Sequence, residues 1–347
     1  MGSFLSTQPD NFSSENIGKK ISTWNFYYLI SNKKNSAHYI DNDLLNPYGI
    51  IIHNDQLFVV NNGSNCATNY DLFGNKLSKS ISIHDTSNGS SGPTAIVVNE
   101  NSKGFIINDS LSPVSGLFLI CTQHGTIHSH NPRCNSKINS LVMNRQLTGE
   151  ISVYRGLAIC KDILYVANFF QGCIDVFDSN YNRLFGFPFK DTDNLNPIPK
   201  NYGPINIINN GDLLYVVWAK KNPGIPLDSI NGDGYISVFN LNGYFVNRFT
   251  NSEVLNNPYD IIPAPHSPDI PKDSILVSNH GDGKINIFSK GGLYIGPLLC
   301  PSGLPLQING LRGLTINTNR DEIFFTAANV NGTNYVGHIV HDNYIDI

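Results

Sequence analysis

A unit of β-strands and turns recurs six times along this chain of 347 residues, and this repeat limits the folds open to it more than any other feature. Each copy contains an apolar strand, a turn, a second apolar strand, a second turn and a third strand. The copies begin at Asn46, Gly92, Tyr154, Gly203, Asn257 and Gly310. Several strands in a unit of roughly 45 to 55 residues are typical of one blade of a β-propeller. The sequence therefore predicts an all-β fold, a six-bladed β-propeller.

The predicted strands are nearly continuous apolar runs, such as Leu57–Val60 and Leu164–Ala167. Neighbouring blades cover both faces of each sheet in a propeller, and strands buried on both faces show such runs instead of alternation. The turn at Gly281–Gly283 has the glycines that a hairpin needs for positive φ. In the second copy, the run that ends at Asn108 is interpreted as the second strand. These patterns favour β-sheet throughout.

The ends of the chain predict how the ring closes. The sixth copy ends after three strands, of which Tyr335–His341 is the third, and an unassigned apolar strand, Trp24–Ser31, precedes the first copy. A closed ring leaves no inner sheet edge exposed. We therefore expect the N-terminal strand to complete the last blade. On this interpretation residues 22–347 form a single propeller, and residues 1–21 form a flexible arm.

Charge composition bears on the class of partner. The formal net charge is -4, and charged residues make up 14% of the chain, against about 25% in an average domain. A weakly charged chain without a basic stripe is not suited to nucleic acid. Another protein or a glycan is the expected partner.

Targeting signals are limited to the amino terminus. The sequence contains no apolar run near 18 residues, so it predicts neither a signal peptide nor a transmembrane segment, and it favours an intracellular or virion-associated location over export. The first six residues, MGSFLS, match the N-myristoylation motif with Gly2 as the acceptor. A single acyl chain would give only weak membrane anchoring.

Several sequence blocks carry a family resemblance. They include NPYGI, FLICTQHGTIHSHNP, LYVANFFQGCIDVFDSN and LVSNHGDGKINIF. In this blade order the chain, over about residues 24–343, resembles a family of six-bladed propellers, mostly bacterial and often exported, that are related in architecture to NHL-repeat propellers. The resemblance implies the fold and no particular activity. Asp260 stands where that family usually has glycine, and Tyr48 and Tyr259 stand where it usually has tryptophan.

Propellers bind ligands at the mouths of the central channel, where inner strands begin and second strands end. Comparing the six copies position by position places polar side chains at this level. The resulting binding candidates are Asn61, Asp109, Arg155, Asn168, Asn206, Asp260, Asn279 and Arg312. They make a ring of amides with a few charges.

Asp260 is the one carboxylate at an inner-strand position that is small or bears an amide in the other copies. Asn206 occupies the same position in the preceding copy, so we expect the two side chains to approach one another near the axis. A buried carboxylate without a partner is costly. We therefore expect Asp260 to pair with a cation, either Arg155 or Arg312 through a charge-assisted hydrogen bond or, alternatively, Ca²⁺.

Two functions fit these residues. The favoured one is a non-catalytic binding or structural module that contacts a protein or glycan through its disc faces and loops. Fold alone does not specify which partner it binds. The alternative is a Ca²⁺-dependent, lactonase-like or esterase-like hydrolase with its site in the central channel. The Ca²⁺ ligands would be Asp260, Asn206, Asn168 and Asn61. No metal or other cofactor is favoured, because Ca²⁺ sites collect several carboxylates and asparagine at strand ends commonly bonds turn backbone.

Overall fold

The computed structural model describes residues 23–84, 91–101, 103–108, 113–134, 140–221, 234–251, 253–267 and 270–342. It confirms the predicted fold class. Six antiparallel sheets, each with four principal strands, form a ring, and a separate two-stranded hairpin is attached to the second blade. Blades are numbered in the order of their inner strands along the chain.

From the axis outwards, the strands of the first three blades follow the order of the chain. Blade 1 contains Pro47–His53, Gln56–Asn61, Cys66–Asp71 and Ile81–Ser82. Blade 2 contains Pro93–Val98, Phe118–Thr122, Thr126–His130 and Ser140–Asn144, which a short 3₁₀-helix, Arg145–Thr148, follows. Blade 3 contains Tyr154–Cys160, Ile163–Asn168, Cys173–Asp178 and Arg183–Leu184.

Blades 4 and 5 also follow the order of the chain, whereas the outer strands of blade 6 come from before blade 1 in the sequence. Blade 4 contains Tyr202–Asn210, Leu213–Lys220, Tyr235–Asn240 and Phe245–Thr250. Blade 5 contains Pro258–Pro263, Ile275–Asn279, Ile285–Phe288 and Tyr294–Pro297. Blade 6 contains Leu311–Asn317, Glu322–Ala328, Asn334–His341 and Trp24–Ser31, with the short parallel strand Tyr39–Ile40 outside them.

Blade 2 corrects one assignment made from the sequence. The run that ends at Asn108 is not its second strand, because Ile106–Asn108 pairs with Pro113–Ser115 in the separate hairpin. Phe118–Thr122 pairs with the inner strand instead. The apolar run has another role: Phe105 is buried, and its carbonyl accepts a hydrogen bond from the Tyr181 hydroxyl of blade 3 at 2.9 Å. The apolar character of this run therefore reflects packing of blade 2 against blade 3, and not strand pairing within blade 2.

Turns between the third and fourth strands share one local device. Asp71 Oδ1 accepts hydrogen bonds from the backbone N–H of Phe73 and Asn75 at 2.9 and 2.8 Å. Asp178 and Asn240 make the equivalent bonds in blades 3 and 4. Such side chains satisfy turn N–H groups that no strand partner reaches. They fix the turns on the face of the disc opposite to the starts of the inner strands.

The N-terminal strand closes the ring as expected. Trp24–Ser31 pairs antiparallel with the last strand, from Trp24 opposite His341 to Ser31 opposite Tyr335. Trp24 is buried, and its ring meets that of His341 edge to face with centroids 5.0 Å apart. The backbone N–H of Trp24 also donates to the carbonyl of Leu299, which follows the last strand of blade 5, at 2.8 Å. The first long strand and the last strand of the described chain therefore share one sheet.

We predict that deleting residues 1–31 lowers the melting temperature by about 10 °C or more, because it removes the outer strand of blade 6 and exposes the sheet edge of Asn334–His341. Deleting residues 1–20 serves as the control, and we expect its melting temperature to match that of the full chain. Differential scanning calorimetry of the two truncated proteins checks this. Equal melting temperatures for both would contradict the role given to the strand.

Candidate functional site

Every inner strand has one extra residue near its start, relative to the second strand of its blade. In blade 3, Tyr154 pairs with Asn168 and Gly156 with Ala167, which leaves Arg155 without an opposite residue. The same one-residue register shift occurs at the same place in the other five blades. A β-bulge of this kind re-aims a side chain. The bulged residues are Tyr48, Thr94, Arg155, Ile205, Tyr259 and Arg312.

Four of these bulged side chains meet on the axis. The rings of Tyr48 and Tyr259 lie with centroids 6.1 Å apart. The guanidinium groups of Arg312 and Arg155 lie 4.1 and 5.7 Å from the centroid of the Tyr48 ring, within the range of cation–π attraction. Blade 1 is not adjacent to blades 3 and 5, so the contacts of Tyr48 with Arg155 and Tyr259 cross the channel. The group therefore spans and covers the channel at the end where the inner strands begin. Within it, Arg312 is only 1% exposed.

A cavity of about 620 Å³ lies beside this group and is lined by the inner strands of all six blades. Tyr259 and Arg155 line its covered end. At the other end its lining includes the exposed residues Glu100 and Lys161, which lie where inner strands finish. The cavity therefore opens on the face opposite to the tyrosine and arginine group.

Asp260 and Asn206 lie in the wall of this cavity, where they meet as expected. Asn206 Nδ2 donates to Asp260 Oδ1 at 3.0 Å, and the N–H groups of Ile261 and Leu314 donate to Oδ1 and Oδ2 at 2.8 and 2.9 Å. The carboxyl group thus links blades 4, 5 and 6. Burial raises the pKa of the Asp260 carboxyl group to about 7, against the effect of these three donors.

The expected ion pair of Asp260 with Arg155 or Arg312 is wrong. No ion pair between described residues includes Asp260. Arg312 donates to Asn46 Oδ1 at 2.6 Å and to the Pro47 carbonyl at 3.0 Å, because its bulge directs it towards blade 1. The carboxyl group can remain near the axis without a cationic side chain, because three N–H groups bond its oxygens and burial raises its pKa.

The asparagines at the ends of second strands do not face the channel. Asn61 Nδ2 donates to Thr68 Oγ1 at 2.9 Å, and Asn168 Nδ2 donates to Asp175 Oδ2 at 3.0 Å, each within its own blade. Asn279 Nδ2 donates to the carbonyl of Val254 at 2.7 Å. The cavity lining includes none of these three residues. The structure therefore does not bring Asn61 and Asn168 to Asp260 and Asn206 as a set of Ca²⁺ ligands.

Two further candidates, Asp109 and the lipidation residue Gly2, lie outside the described residues. Within the described part of the chain, no three histidine, cysteine or acidic side chains are grouped as metal ligands. No helix there is both long and apolar enough to cross a bilayer.

Sequence reasoning missed two parts of this region. Tyr48 and Tyr259 are not among the binding candidates that the sequence indicates, although they share the bulge position with Arg155 and Arg312. It also missed a buried ion cluster around Asp175, whose carboxylate accepts hydrogen bonds from the Tyr154 hydroxyl at 3.0 Å and Arg183 Nη2 at 2.6 Å. Burial of Tyr154 raises the pKa of its hydroxyl, and the negative charge of Asp175 raises it further. For the two tyrosines, the sequence does carry a signal: Tyr or Arg recurs at the same position in several copies of the repeat.

Comparison of the sequence with known proteins finds viral relatives. The uncharacterised protein R648 of Acanthamoeba polyphaga mimivirus is 52% identical over 333 residues, which cover 94% of this chain and 82% of R648. The uncharacterised protein L690 of the same virus is 52% identical over 331 residues, which cover 94% of this chain and 88% of L690. No protein-family model matches. The expectation of a mostly bacterial family is not supported by these relatives.

Solved structures share the fold. An α-L-arabinofuranosidase from Fusarium graminearum matches with a TM-score of 0.58 at 12% identity, covering 91% of this chain and 98% of its own. The soluble aldose sugar dehydrogenase of Escherichia coli matches with a TM-score of 0.56 at 10% identity, covering 92% and 99%. A streptogramin B lyase matches with a TM-score of 0.54 at 12% identity, covering 92% and 98%. At such identities the likeness extends to the fold alone.

The raised pKa of Asp260 predicts how stability depends on pH. Because the folded state holds this proton more tightly than the unfolded chain, its contribution is present below about pH 4 and is lost as the pH rises towards 7. The shift from 3.8 to about 7 corresponds to roughly 4 kcal/mol. We expect Asp260→Asn to lose this part of the pH dependence, and the exposed-site variant Asp212→Asn to keep it. Urea unfolding at several pH values between 4 and 8 measures both. Parallel stability profiles for Asp260→Asn and the parent protein would contradict the assignment.

Proposed function

We propose that this chain, which belongs to the same protein family as R648 and L690 of the mimivirus, is a non-catalytic binding module that contacts a partner through one face of its disc. The proposal rests mainly on an exposed apolar surface, formed by Leu147, Ile151 and Phe170, at the junction of blades 2 and 3. We call this surface the blade 2–3 patch.

The patch combines large apolar side chains with high exposure. Leu147, Ile151 and Phe170 are 84%, 65% and 52% exposed. Leu147 lies in the 3₁₀-helix that follows blade 2, Ile151 lies just before the inner strand of blade 3, and Phe170 lies in the turn after its second strand. All three are on the face where inner strands begin. Grouped exposed apolar residues within polar surroundings are a feature of binding surfaces.

The backbone under the patch is held by directed contacts. Gln171 Nε2 donates to the carbonyl of Ile151 at 2.7 Å, and Lys221 Nζ donates to that of Phe170 at 3.0 Å. Arg145 and Glu150, which flank Leu147 and Ile151, form an ion pair. A surface fixed in this way loses little conformational entropy when a partner binds. These contacts support a preformed docking site.

The chemistry of the patch favours a protein over a glycan. Leu147 and Ile151 offer aliphatic surface, which is buried most favourably against apolar side chains, and Phe170 is an aromatic of the kind enriched at the centre of protein interfaces. The viral origin of the relatives leads us to place this partner inside an infected cell or in the virus particle. The alternative partner is a glycan that contacts Phe170, and the experiment below distinguishes it from a protein partner.

Site-specific photo-crosslinking tests the proposal. A photoreactive amino acid at Phe170 should give a discrete protein adduct in producing cells or purified particles, and Ile151→Asp should reduce it about tenfold by placing a charge in the interface. The matched control is Tyr244, which is 60% exposed in a turn between third and fourth strands, on the opposite face.

The outcomes separate the alternatives. An adduct at Phe170 that glycosidase treatment removes would assign a glycan instead of a protein. Equal adducts at positions 170 and 244, or no adduct at either, would contradict docking at the blade 2–3 patch. Recovery of the protein only from the culture medium would contradict the proposed location.

A further inference from the structure

The central cavity contains polar groups that the fold leaves unpaired. Its volume of about 620 Å³ lies within the range of roughly 300 to 1,000 Å³ that small-molecule sites occupy. Polar atoms buried in protein are nearly always hydrogen-bonded, so those that are not call for an explanation. Three of the residues in this cavity, Arg155, Tyr259 and Asn209, have such an atom.

Arg155 and Tyr259 present unused donors at the covered end. Nε of Arg155 is buried and has no hydrogen-bond partner among the described residues, and its Nη1 makes only a long contact of 3.5 Å with the Tyr48 hydroxyl. Tyr259 is only 7% exposed, and its hydroxyl likewise has no partner in the described part of the chain. A guanidinium group and a phenol together suit the two oxygens of a carboxylate.

The rest of the cavity offers groups for hydroxyls. Oδ1 of Asn209 is a buried acceptor without a partner among the described residues, and it lies three residues further along the inner strand than Asn206. At about 3.3 Å per residue, this places it about 10 Å from the level of Asn206. Asp260 lies in the wall at that level. A ligand that satisfies both ends must therefore carry a carboxylate at one end and hydroxyl groups along its length.

We propose that the central cavity binds a small polyhydroxy carboxylate, that is a sugar acid, with its carboxylate on Arg155 and Tyr259 and its hydroxyls directed towards Asn209. The ligand enters from the open end, near Glu100 and Lys161. This site is separate from the blade 2–3 patch, and neither proposal depends on the other. A monoanion suits the cavity better than a phosphate dianion, because the carboxyl group of Asp260 lies in the same wall.

Isothermal titration calorimetry of the full chain with sodium D-glucuronate tests the proposal. D-glucose, which lacks the carboxylate, and sodium acetate, which lacks the hydroxyls, are the matched ligands. We expect saturable binding of glucuronate and at least about tenfold weaker binding of both matched ligands, since each leaves one end of the cavity unpaired. No saturable heat with glucuronate, or equal affinity for glucose or acetate, would overturn the proposal.

Variants separate the site from general charge effects. Tyr259→Phe removes only a hydroxyl that bonds nothing among the described residues, so the melting temperature of the free protein should be unchanged while glucuronate affinity falls about tenfold. Arg155→Gln should abolish measurable binding. Lys290→Gln, which removes an exposed charge between the third and fourth strands of blade 5 and away from the cavity, should change the affinity less than twofold. Unchanged affinity in Tyr259→Phe or Arg155→Gln, or an equal loss in Lys290→Gln, would overturn the assignment.

Discussion

The one-residue bulge at the start of each inner strand is the constraint on which the rest of the structure depends. It frees a backbone carbonyl for the blade before it: Ser278 Oγ donates to the carbonyl of Arg312 at 2.9 Å, and Thr326 Oγ1 donates to that of Tyr48 at 2.6 Å. Asn206 Nδ2 makes the same kind of bond to Tyr259 at 3.3 Å. The bulge thus joins blade to blade while it directs its own side chain to the axis.

Crowding around the axis explains the residue that follows the bulge. A Cβ atom on Gly156 would lie 2.3 Å from Asn206 Oδ1, and one on Gly313 would lie 2.6 Å from the carbonyl oxygen of Tyr48. Glycine at these positions is therefore a steric requirement, since real Cβ atoms do not approach that closely. Asn206 and Asp260 occupy the equivalent positions of blades 4 and 5, where their side chains bond the next blade. Polar side chains there replace the close backbone contact found elsewhere in the ring.

The sequence was sufficient for the parts of the structure that repeat. Period and strand composition predicted six blades, and the surplus strand Trp24–Ser31 predicted closure, because both follow from pairing and burial. The strand in blade 2 was misassigned because an apolar run such as Ile106–Asn108 has the same composition whether it joins a blade or packs against one. The local sequence does not distinguish a strand that pairs within a blade from one that packs against it.

The sequence predicted where some residues of the candidate site lie, but it did not predict which contacts their side chains make. Position-by-position comparison correctly placed Asn206 beside Asp260, since equivalent residues of adjacent blades are neighbours. It did not foresee that Arg312 would turn towards blade 1, because a bulge changes the direction of a side chain without changing the apolar pattern. Nor did it foresee that Asn61 and Asn168 would bond to third strands. That choice depends on the residue across the sheet, in these two blades Thr68 and Asp175.

A crystal structure of the protein grown with sodium D-glucuronate tests most directly whether the bulged residues form a ligand site. We expect density for a sugar acid in the central cavity, with carboxylate oxygens about 3 Å from Arg155 and from the Tyr259 hydroxyl. This expectation would be contradicted by a cavity that holds only solvent while Arg155 pairs with Asp260. In that case the bulge would only join neighbouring blades, and Arg155 and the Tyr259 hydroxyl would not form a ligand site.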